Sequence, residues 1–245
     1  MTRALFDLPQ PPLVPVAGED AGFPVRRIFC VGRNYAAHAT EMGNPVDREA
    51  PFYFTKSAHH ICIGDTTIPY PPETRDCHHE VELVAALGAP AFRAAADGAM
   101  AAVFGYACGI DLTRRDLQAR AKEQRRPWDL GKDFENAAVI GAMTRAARFG
   151  TISEQAIRLE VNGRTAQAAR LSDMIWSLPE IIAHLSRFYH LDVGDLIYTG
   201  TPAGVGPVAP GDRLLGRIDG LAPLHLSISA AGQGSGTGGG GGGQK

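Results

Sequence analysis

Short runs of apolar residues fill the middle of the chain, and most of them have the length and composition of β-strands. They are rich in Val, Ile, Leu and aromatic residues, and turn-forming residues lie between them. The strands predicted in this way are 27–31, 51–56, 79–87, 103–110, 157–161, 195–199 and 214–218. Asn162-Gly163 and Asp219-Gly220 predict tight hairpin turns, because each pair joins a residue that tolerates positive φ to a glycine.

Helical patterns are few and local. Ser177 and Glu180 form a capping box, with Pro179 in the first turn. The residues that follow predict an apolar helical stripe made of Ile181, Ile182, Leu185 and Phe188. Many strands with scattered short helices favour an α+β, mostly β fold over a doubly wound sheet.

The two ends of the chain differ in composition from this central part. Residues 1–22 contain several prolines and predict an extended segment on the surface. Residues 230–245 include six consecutive glycines and predict a flexible tail. Because no linker or repeat interrupts the rest, we expect a single folded domain at 23–229, and any catalytic site belongs to it.

Two carboxylates stand one residue apart in the predicted strand 79–87. Side chains alternate along a strand, so Glu80 and Glu82 share a face, where like charges repel unless a cation lies between them. The alternative is an ordinary solvated strand face. A third acid, Asp111, follows the buried run 103–110 and needs a partner there. Three carboxylates without nearby thiolates form an all-oxygen site that suits Mg²⁺ or Mn²⁺.

A histidine and a glutamate stand three residues apart after the first strand. Asn34 can cap a short helix and Gly43 can end it, which places His38 and Glu41 on one helical face. A carboxylate that holds one imidazole nitrogen leaves the other free to take a proton from water. The alternative is an ordinary surface pair.

The segment after Asp111 predicts a helix capped by Thr113. Arg115 and Gln118 then share a face beside the acids, where a guanidinium and an amide can grip a substrate carboxylate. The alternative is a solvated basic helix start. That is the interpretation adopted for the remaining basic residues, Arg120, Lys122, Arg125 and Arg126.

Two loops offer further polar groups. Lys132 lies between small and aromatic residues, and a lysine near a metal-bound oxyanion would stabilise its charge. Thr201 lies in a glycine-rich loop directly after the strand 195–199, where the backbone can approach a small ligand closely and the hydroxyl can donate to a carboxylate.

Composition excludes several other classes of protein. The formal net charge is -2 with mixed signs along the chain, which argues against nucleic acid and anionic membranes as partners. No apolar run approaches the roughly 20 residues that span a bilayer. The cysteines lack CxxC spacing and the N-terminus lacks a signal-peptide pattern, so we expect a soluble protein of the reducing cytoplasm.

Taken in order, these segments resemble the fumarylacetoacetate hydrolase family, and the doubled histidine and Pro127-Trp128 resemble its acylpyruvase branch. The matching segments are 30–35, 78–83, 111–118, 131–132, 173–175 and 194–206. The resemblance implies a mixed β-sandwich roll, a homodimer, and a small-molecule diketo acid as substrate. By position it implies metal ligands at Glu80, Glu82 and Asp111, a catalytic set of His38, Glu41 and Lys132, and substrate contacts at Arg33, Arg115, Gln118 and Thr201.

The activity implied is metal-dependent hydrolysis of the C3–C4 bond of a 2,4-diketo acid. Fumarylpyruvate, cleaved to fumarate and pyruvate in aromatic catabolism through gentisate, is the substrate we expect. In this mechanism His38 activates the attacking water and Lys132 stabilises the oxyanion. Three alternatives stay open at this point: an oxaloacetate decarboxylase, a tautomerase or isomerase, and a non-catalytic β-rich dimer with a structural metal.

Overall fold

The computed structural model describes residues 5–43, 46 and 48–231. The tail predicted at 230–245 lies outside these residues except for its first two positions, as do residues 1–4 of the N-terminal segment. Within the described ranges, no helix combines the length and the apolar character that crossing a membrane requires.

Strands make up most of the regular structure, and the helices are short. The strands are β1 (Leu13–Val14), β2 (Phe23–Pro24), β3 (Arg27–Gly32), β4 (Phe52–Lys56), β5 (Ile61–Ile63), β6 (Thr66–Pro69), β7 (Cys77–His79), β8 (Val81–Leu87), β9 (Val103–Asp111), β10 (Thr113–Arg114), β11 (Ala138–Ile140), β12 (Thr144–Arg145), β13 (Ala156–Val161), β14 (Arg164–Arg170), β15 (Asp195–Tyr198), β16 (Gly206–Pro207), β17 (Arg213–Ile218) and β18 (Leu224–Ser229). The helices are α1 (Ala36–Glu41), α2 (Ala96–Ala99), α3 (Arg115–Glu123), α4 (Asp129–Lys132), α5 (Ala146–Phe149) and α6 (Leu178–Leu185), with 3₁₀ turns at Ala58–His60, Met100–Ala102 and Leu171–Asp173. The mostly β fold expected from the sequence is confirmed.

An eight-stranded sheet forms the centre, in the order β4-β3-β15-β8-β9-β11-β5 with β12 beside β9. All residues of β8 are buried. Leu83 and Ala85 belong to one apolar layer, and Val84 and Ala86 belong to the other, so the sheet is covered on both faces. Double coverage explains why the central strands have nearly continuous apolar sequences, which makes them easy to predict.

A five-stranded sheet, ordered β14-β13-β17-β18-β6, packs on the first of these layers through residues such as Ile157 and Leu226. The Asn162-Gly163 turn joins β13 to β14, and both residues have positive φ (53° and 77°), as predicted. At Asp219-Gly220 only the glycine has positive φ, and the connection from β17 to β18 is longer than a tight two-residue turn.

The N-terminal segment is partly built into this body. Leu13 and Val14 pair with β2, and Val14 is completely buried in the second apolar layer. Val16 is also buried and bridges to Met143. Within residues 5–22, the segment expected to lie on the surface therefore also packs into the core, through Val14 and Val16.

Helix α6 covers part of the first apolar layer. The backbone N–H and the hydroxyl of Ser177 both donate to Glu180 (2.8 and 2.7 Å), which completes the predicted capping box. Ile181 and Leu185 are fully buried, but the helix ends at Leu185 and Phe188 is 64% exposed. The predicted stripe was therefore one residue too long.

Candidate active site

Three carboxylates meet at one end of the central sheet. Glu82 lies in β8, Asp111 ends the neighbouring β9, and Glu80 lies in the interruption between β7 and β8. A hydrogen bond from the Asp111 N–H to the Glu80 carbonyl (2.8 Å) holds this bend against β9. One ligand oxygen from each acid lies within 4.8 Å of the others. The acids are buried, so the solvated strand face is wrong, as is the single continuous strand expected at 79–87.

Three basic side chains oppose these acids. Lys132 Nζ lies 2.9 Å from Glu80 Oε2 and 2.7 Å from Asp111 Oδ2. The Arg115 guanidinium donates to Glu80 Oε1. Lys56 Nζ lies 2.8 Å from Asp111 Oδ1. We call these six residues, Glu80, Glu82, Asp111, Lys56, Lys132 and Arg115, the floor of the site.

The pKa shifts follow from these contacts. Burial opposes the charge of Glu80, but Lys132 and Arg115 outweigh it and lower the pKa of this carboxyl. Burial likewise opposes the charge of Lys132, but Asp111 and Glu80 raise its pKa. Within the described part of the chain, Glu82 has no ion-pair partner. Burial, followed by repulsion from Asp111 and Glu80, therefore raises its pKa well above the usual range.

The environment of Glu82 tests whether a metal fits here. Its Oε2 accepts a hydrogen bond from the Gly200 N–H (2.7 Å), and no basic side chain among the described residues pairs with it. A divalent cation among the acids would remove this repulsion, and carboxylate oxygens are the ligands that Mg²⁺ and Mn²⁺ prefer. The floor could therefore hold such an ion on Glu80, Glu82 and Asp111.

Gly200 gives Glu82 this hydrogen bond because of its backbone conformation. Its φ is +98°, and a Cβ would lie 2.7 Å from the Asn34 Cβ. The glycine-rich loop after β15 thus brings a backbone donor to the floor, and the sequence predicted only that its backbone approaches closely.

His38 lies in α1 beside the floor and is 6% exposed. Its Nδ1 lies 3.3 Å from Glu41 Oε2, and Glu41 also accepts from the Gly204 N–H (3.0 Å). Burial lowers the pKa of His38 below 6.5, despite the nearby carboxylates of Glu80 and Glu41. The ring is therefore neutral at pH 7 and able to accept a proton.

Asn34 does not cap α1, and that prediction was wrong. The helix follows Tyr35 without a side-chain cap. Instead the Asn34 amide donates to the carbonyls of Trp176 and Thr199 (2.9 and 2.8 Å), and its oxygen accepts from Trp176 N–H (2.7 Å). These bonds fix the start of α1 against the end of β15, which positions His38.

Helix α3 presents Arg115 and Gln118 to the same pocket, and the two are hydrogen-bonded (2.7 Å). Thr113 was expected to cap this helix, but the residue before the helix is Arg114 and has no side-chain cap. The Thr113 hydroxyl donates to Glu80 (3.2 Å) and accepts from Lys132 (2.6 Å) instead. It therefore belongs to the hydrogen-bond network of the floor.

Lys132 reaches the floor because α4 packs closely on α3. A Cβ at Gly131 would lie 2.9 Å from the Gln118 backbone nitrogen, so only glycine allows this approach. Lys132 is 3% exposed. The loop predicted around it is in fact a short helix, Asp129–Lys132.

Thr201 lines the pocket and accepts a hydrogen bond from Gln167 (2.8 Å). Gln167 also accepts from the Val81 N–H (3.0 Å) and lies 3.1 Å from His79 Nδ1. Gln167 thereby joins β14, β8 and the loop after β15. Sequence reasoning missed it, because nothing near Gln167 in the chain marks it as buried.

Sequence reasoning also missed Lys56, although the sequence contains an indication of its role. It ends the aromatic strand β4 and is buried, with Nζ donating to the carbonyls of Leu112 (3.2 Å) and Lys132. A lysine rarely occupies a buried position without a partner. Its place at the end of a predicted apolar strand was therefore the clue.

Arg33, Lys122 and Trp128 line the same pocket and are less buried than His38. We call them the mouth. Arg33 adopts the left-handed conformation (φ 60°) between β3 and α1. Lys122 was interpreted as solvated, but it is half-buried, lines the pocket and lies over the Trp128 ring, 4.9 Å from its centroid. That interpretation was wrong.

Comparison with known proteins identifies the family. The model of the fumarylacetoacetate (FAA) hydrolase C-terminal domain matches residues 27–229. The chain belongs to this family. The resemblance drawn from the motifs is thereby confirmed, together with the fold it implied.

Individual relatives of the chain cover nearly all of its folded part. A fumarylpyruvate hydrolase of Ralstonia sp is 49% identical over 190 residues, covering 76% of this chain and 98% of the relative. The oxaloacetate tautomerase YcgM of Escherichia coli (strain K12) is 38% identical, covering 81% and 90%. The crystal structure of fumarylpyruvate hydrolase from Pseudomonas aeruginosa in complex with Mn²⁺ and pyruvate has a TM-score of 0.90 at 44% identity, covering 93% of this chain and 100% of that chain.

Proposed function

We propose that this protein hydrolyses the C3–C4 bond of a 2,4-diketo acid, with fumarylpyruvate as substrate and fumarate and pyruvate as products. The observation that carries the proposal is the position of a neutral, buried His38 in the same pocket as three carboxylates that could bind a metal. The 49% identity to the Ralstonia fumarylpyruvate hydrolase supports the choice of substrate.

Glu80, Glu82 and Asp111 would hold Mg²⁺ or Mn²⁺. When bound, the cation would act as a Lewis acid on the α-keto acid part of the substrate. Arg115 and Gln118 already face the pocket from one side of α3, and they would bind the C1 carboxylate through charge-assisted hydrogen bonds. Thr201 would contribute its hydroxyl from the opposite wall, and Arg33 would contact the substrate from the mouth.

His38 would act as general base. The Glu41 carboxylate holds Nδ1, so the other ring nitrogen can remove a proton from water as its oxygen adds to the C4 carbonyl. Lys132 would stabilise the oxyanion that forms at C4. The C3–C4 bond then breaks, fumarate leaves, and the electron pair forms the pyruvate enolate. Return of the proton from His38 to C3 gives pyruvate.

The principal competitor is chemistry on oxaloacetate, because the 38% identical YcgM is an oxaloacetate tautomerase. Decarboxylation or tautomerisation moves CO₂ or a proton and needs no attacking water. The His38–Glu41 pair beside the floor favours hydrolysis over decarboxylation for this reason. The lower identity of the tautomerase YcgM favours hydrolysis over tautomerisation.

The deciding experiment follows the ultraviolet absorbance of fumarylpyruvate with EDTA-treated protein, before and after addition of Mg²⁺ or Mn²⁺. We expect metal-dependent loss of the diketonate band, with fumarate and pyruvate formed in equal amounts. Metal-dependent turnover of oxaloacetate without loss of that band would overturn the proposal.

Three finer expectations belong to this proposal. A homodimer and a step in the gentisate pathway rest on the family resemblance, and a cytoplasmic location rests on the cysteine spacing and the N-terminal sequence. Sedimentation of the purified protein tests the first. A sedimentation coefficient matching the monomer mass of 26.0 kDa would contradict it.

A further inference from the structure

The mouth carries positive charge that the described acids do not neutralise. In the floor, three basic residues oppose three acids. Lys122 and Arg33 also line the pocket, yet no described carboxylate lies within ion-pair distance of either. A divalent cation in the floor would add to this excess. The pocket therefore favours a ligand that carries more negative charge than a single carboxylate.

Helix α3 places Lys122 in line with the residues that face the floor. Arg115, Gln118 and Lys122 are three and then four residues apart, which is the spacing of one helical face. At about 1.5 Å rise per residue, Lys122 lies about 10 Å along the axis from Arg115. The helix thus presents one cation at the floor and a second at the mouth.

The length of a dianionic diketo acid suits this spacing. Fumarylpyruvate has a carboxylate at each end, joined by six C–C bonds of about 1.5 Å that span about 8 Å when extended. A flexible lysine makes up the remaining difference. The cavity that these residues line has a volume of about 40 Å³ and opens to solvent.

The surroundings of Lys122 favour a bound anion. Its ammonium is held over the Trp128 ring rather than in open water. Burial and repulsion from Arg115 and Arg33 lower the pKa of Lys122 to about 8. A bound carboxylate would relieve that repulsion.

We propose that Lys122, with Arg33 beside it, binds the distal carboxylate of a dianionic diketo acid and so selects these acids over acylpyruvates with uncharged tails. This assignment rests on the proposed function, and it adds a specificity-determining residue to it. Trp128 acts as a positioning residue that keeps the Lys122 ammonium at the mouth.

The test compares fumarylpyruvate with acetylpyruvate, a 2,4-diketo acid that lacks the second carboxylate. For Lys122→Met we expect kcat/KM to fall about 10- to 100-fold on fumarylpyruvate, the range for a lost charge-assisted hydrogen bond. The loss on acetylpyruvate should be at least ten times smaller. Most of the change should appear in KM, and Lys122→Arg should restore much of it.

Arg120→Met is the matched control, because Arg120 is exposed on the same helix and its loss changes the net charge equally. Three results would overturn the assignment. Lys122→Met could lower kcat/KM equally on both substrates, it could leave kcat/KM on fumarylpyruvate unchanged, or Arg120→Met could lower kcat/KM as much as Lys122→Met does. Circular dichroism establishes that each variant is folded, and Lys122→Gln replaces Lys122→Met if the latter is not.

Calorimetric titration with fumarate separates this inference from the proposed function. Wild-type protein that binds fumarate, with at least tenfold weaker binding in Lys122→Met and unaltered pyruvate binding, supports the mouth assignment even if fumarylpyruvate is not hydrolysed. If the wild-type protein does not turn over fumarylpyruvate, that result would count against the proposed function and not against the role of Lys122. Fumarate binding that is the same in both proteins would refute the role of Lys122.

Discussion

The floor and the mouth of the pocket are built in different ways. The three floor acids lie on or beside strands of the central sheet, deep in the protein. Each of the three floor bases pairs with Glu80, with Asp111 or with both. The mouth residues lie in the loop between β3 and α1, on the last turn of α3 and just before α4, and Arg33 and Lys122 have no described ion-pair partner.

This difference separates reactivity from selectivity. A rigid, buried floor fixes the geometry of a metal and of the reacting carbons, which tolerates little change. Side chains at the mouth can be exchanged without disturbing the sheet. We therefore expect floor variants to lose the reaction itself, and mouth variants to change which acid is accepted.

The largest effect should come from Glu82→Gln. The amide keeps the size of the side chain and can still accept the Gly200 N–H, but it removes one ligand charge. We expect Mn²⁺ binding to be undetectable by calorimetry and kcat to fall at least about 1,000-fold. Glu123→Gln, an exposed change on α3, is the control. Normal Mn²⁺ affinity in Glu82→Gln would contradict the ligand assignment.

His38→Ala should separate the base from the metal site. We expect a loss of about 10²- to 10⁴-fold in kcat on fumarylpyruvate, the usual contribution of a general base. Metal affinity, measured by the same calorimetric titration, should stay within twofold of the wild type. Full hydrolysis by this variant would remove His38 from the mechanism.

Lys56→Met tests the balance of charges in the floor. It leaves Asp111 Oδ1 buried beside an apolar side chain, so the metal-free protein should lose about 3–5 kcal/mol of stability. Added Mg²⁺ should recover more stability in the variant than in the wild type, because the floor would then be more negative. Denaturant unfolding with and without metal measures both quantities. An unchanged free energy of unfolding would show that Lys56 contributes no net stabilisation.

The smallest effect is the pH dependence set by His38. Burial lowers the pKa of His38, so the neutral base is present at pH 7 and is lost as the pH falls through a value below 6.5. We expect kcat/KM to fall tenfold per pH unit on that acidic side, at saturating metal. Calorimetry at each pH checks that metal stays bound. The residual activity of His38→Ala should not show this fall at acidic pH. A fall with its midpoint above pH 6.5 in the wild type would contradict a buried base with a lowered pKa.

The sequence predicted the floor better than the mouth, for physical reasons. The alternation of side chains along a strand predicted that Glu80 and Glu82 lie close together. Asp111 was predicted to join them because it is an acid at the end of a buried strand. Their partners Lys132 and Arg115 were also candidates from their own motifs. That Lys56 and Gln167 join them depends on pairings between distant parts of the chain, which local patterns do not contain.

The other wrong predictions have the same origin. Asn34 and Thr113 are residues that commonly cap helices, but here each bonds to distant groups, and tertiary contacts override the local preference. Lys122 was grouped with solvated neighbours because its burial depends on Trp128 and on the packing of α3. The central strands and α6 were predictable because their apolar periodicity decides their structure without such contacts.

The pairing of acids with bases in the floor bears on how the protein handles its metal. Lys132 and Arg115 pair with Glu80, and Lys132 and Lys56 pair with Asp111, so basic side chains stabilise two of the three acids independently of a metal ion. We therefore expect the ion to be an exchangeable reagent rather than a structural cross-link. Removal of the metal by a chelator should abolish activity reversibly. It should lower the free energy of unfolding only by the binding free energy of the ion. The supply of free divalent metal in the cell would then regulate how much of the protein is active.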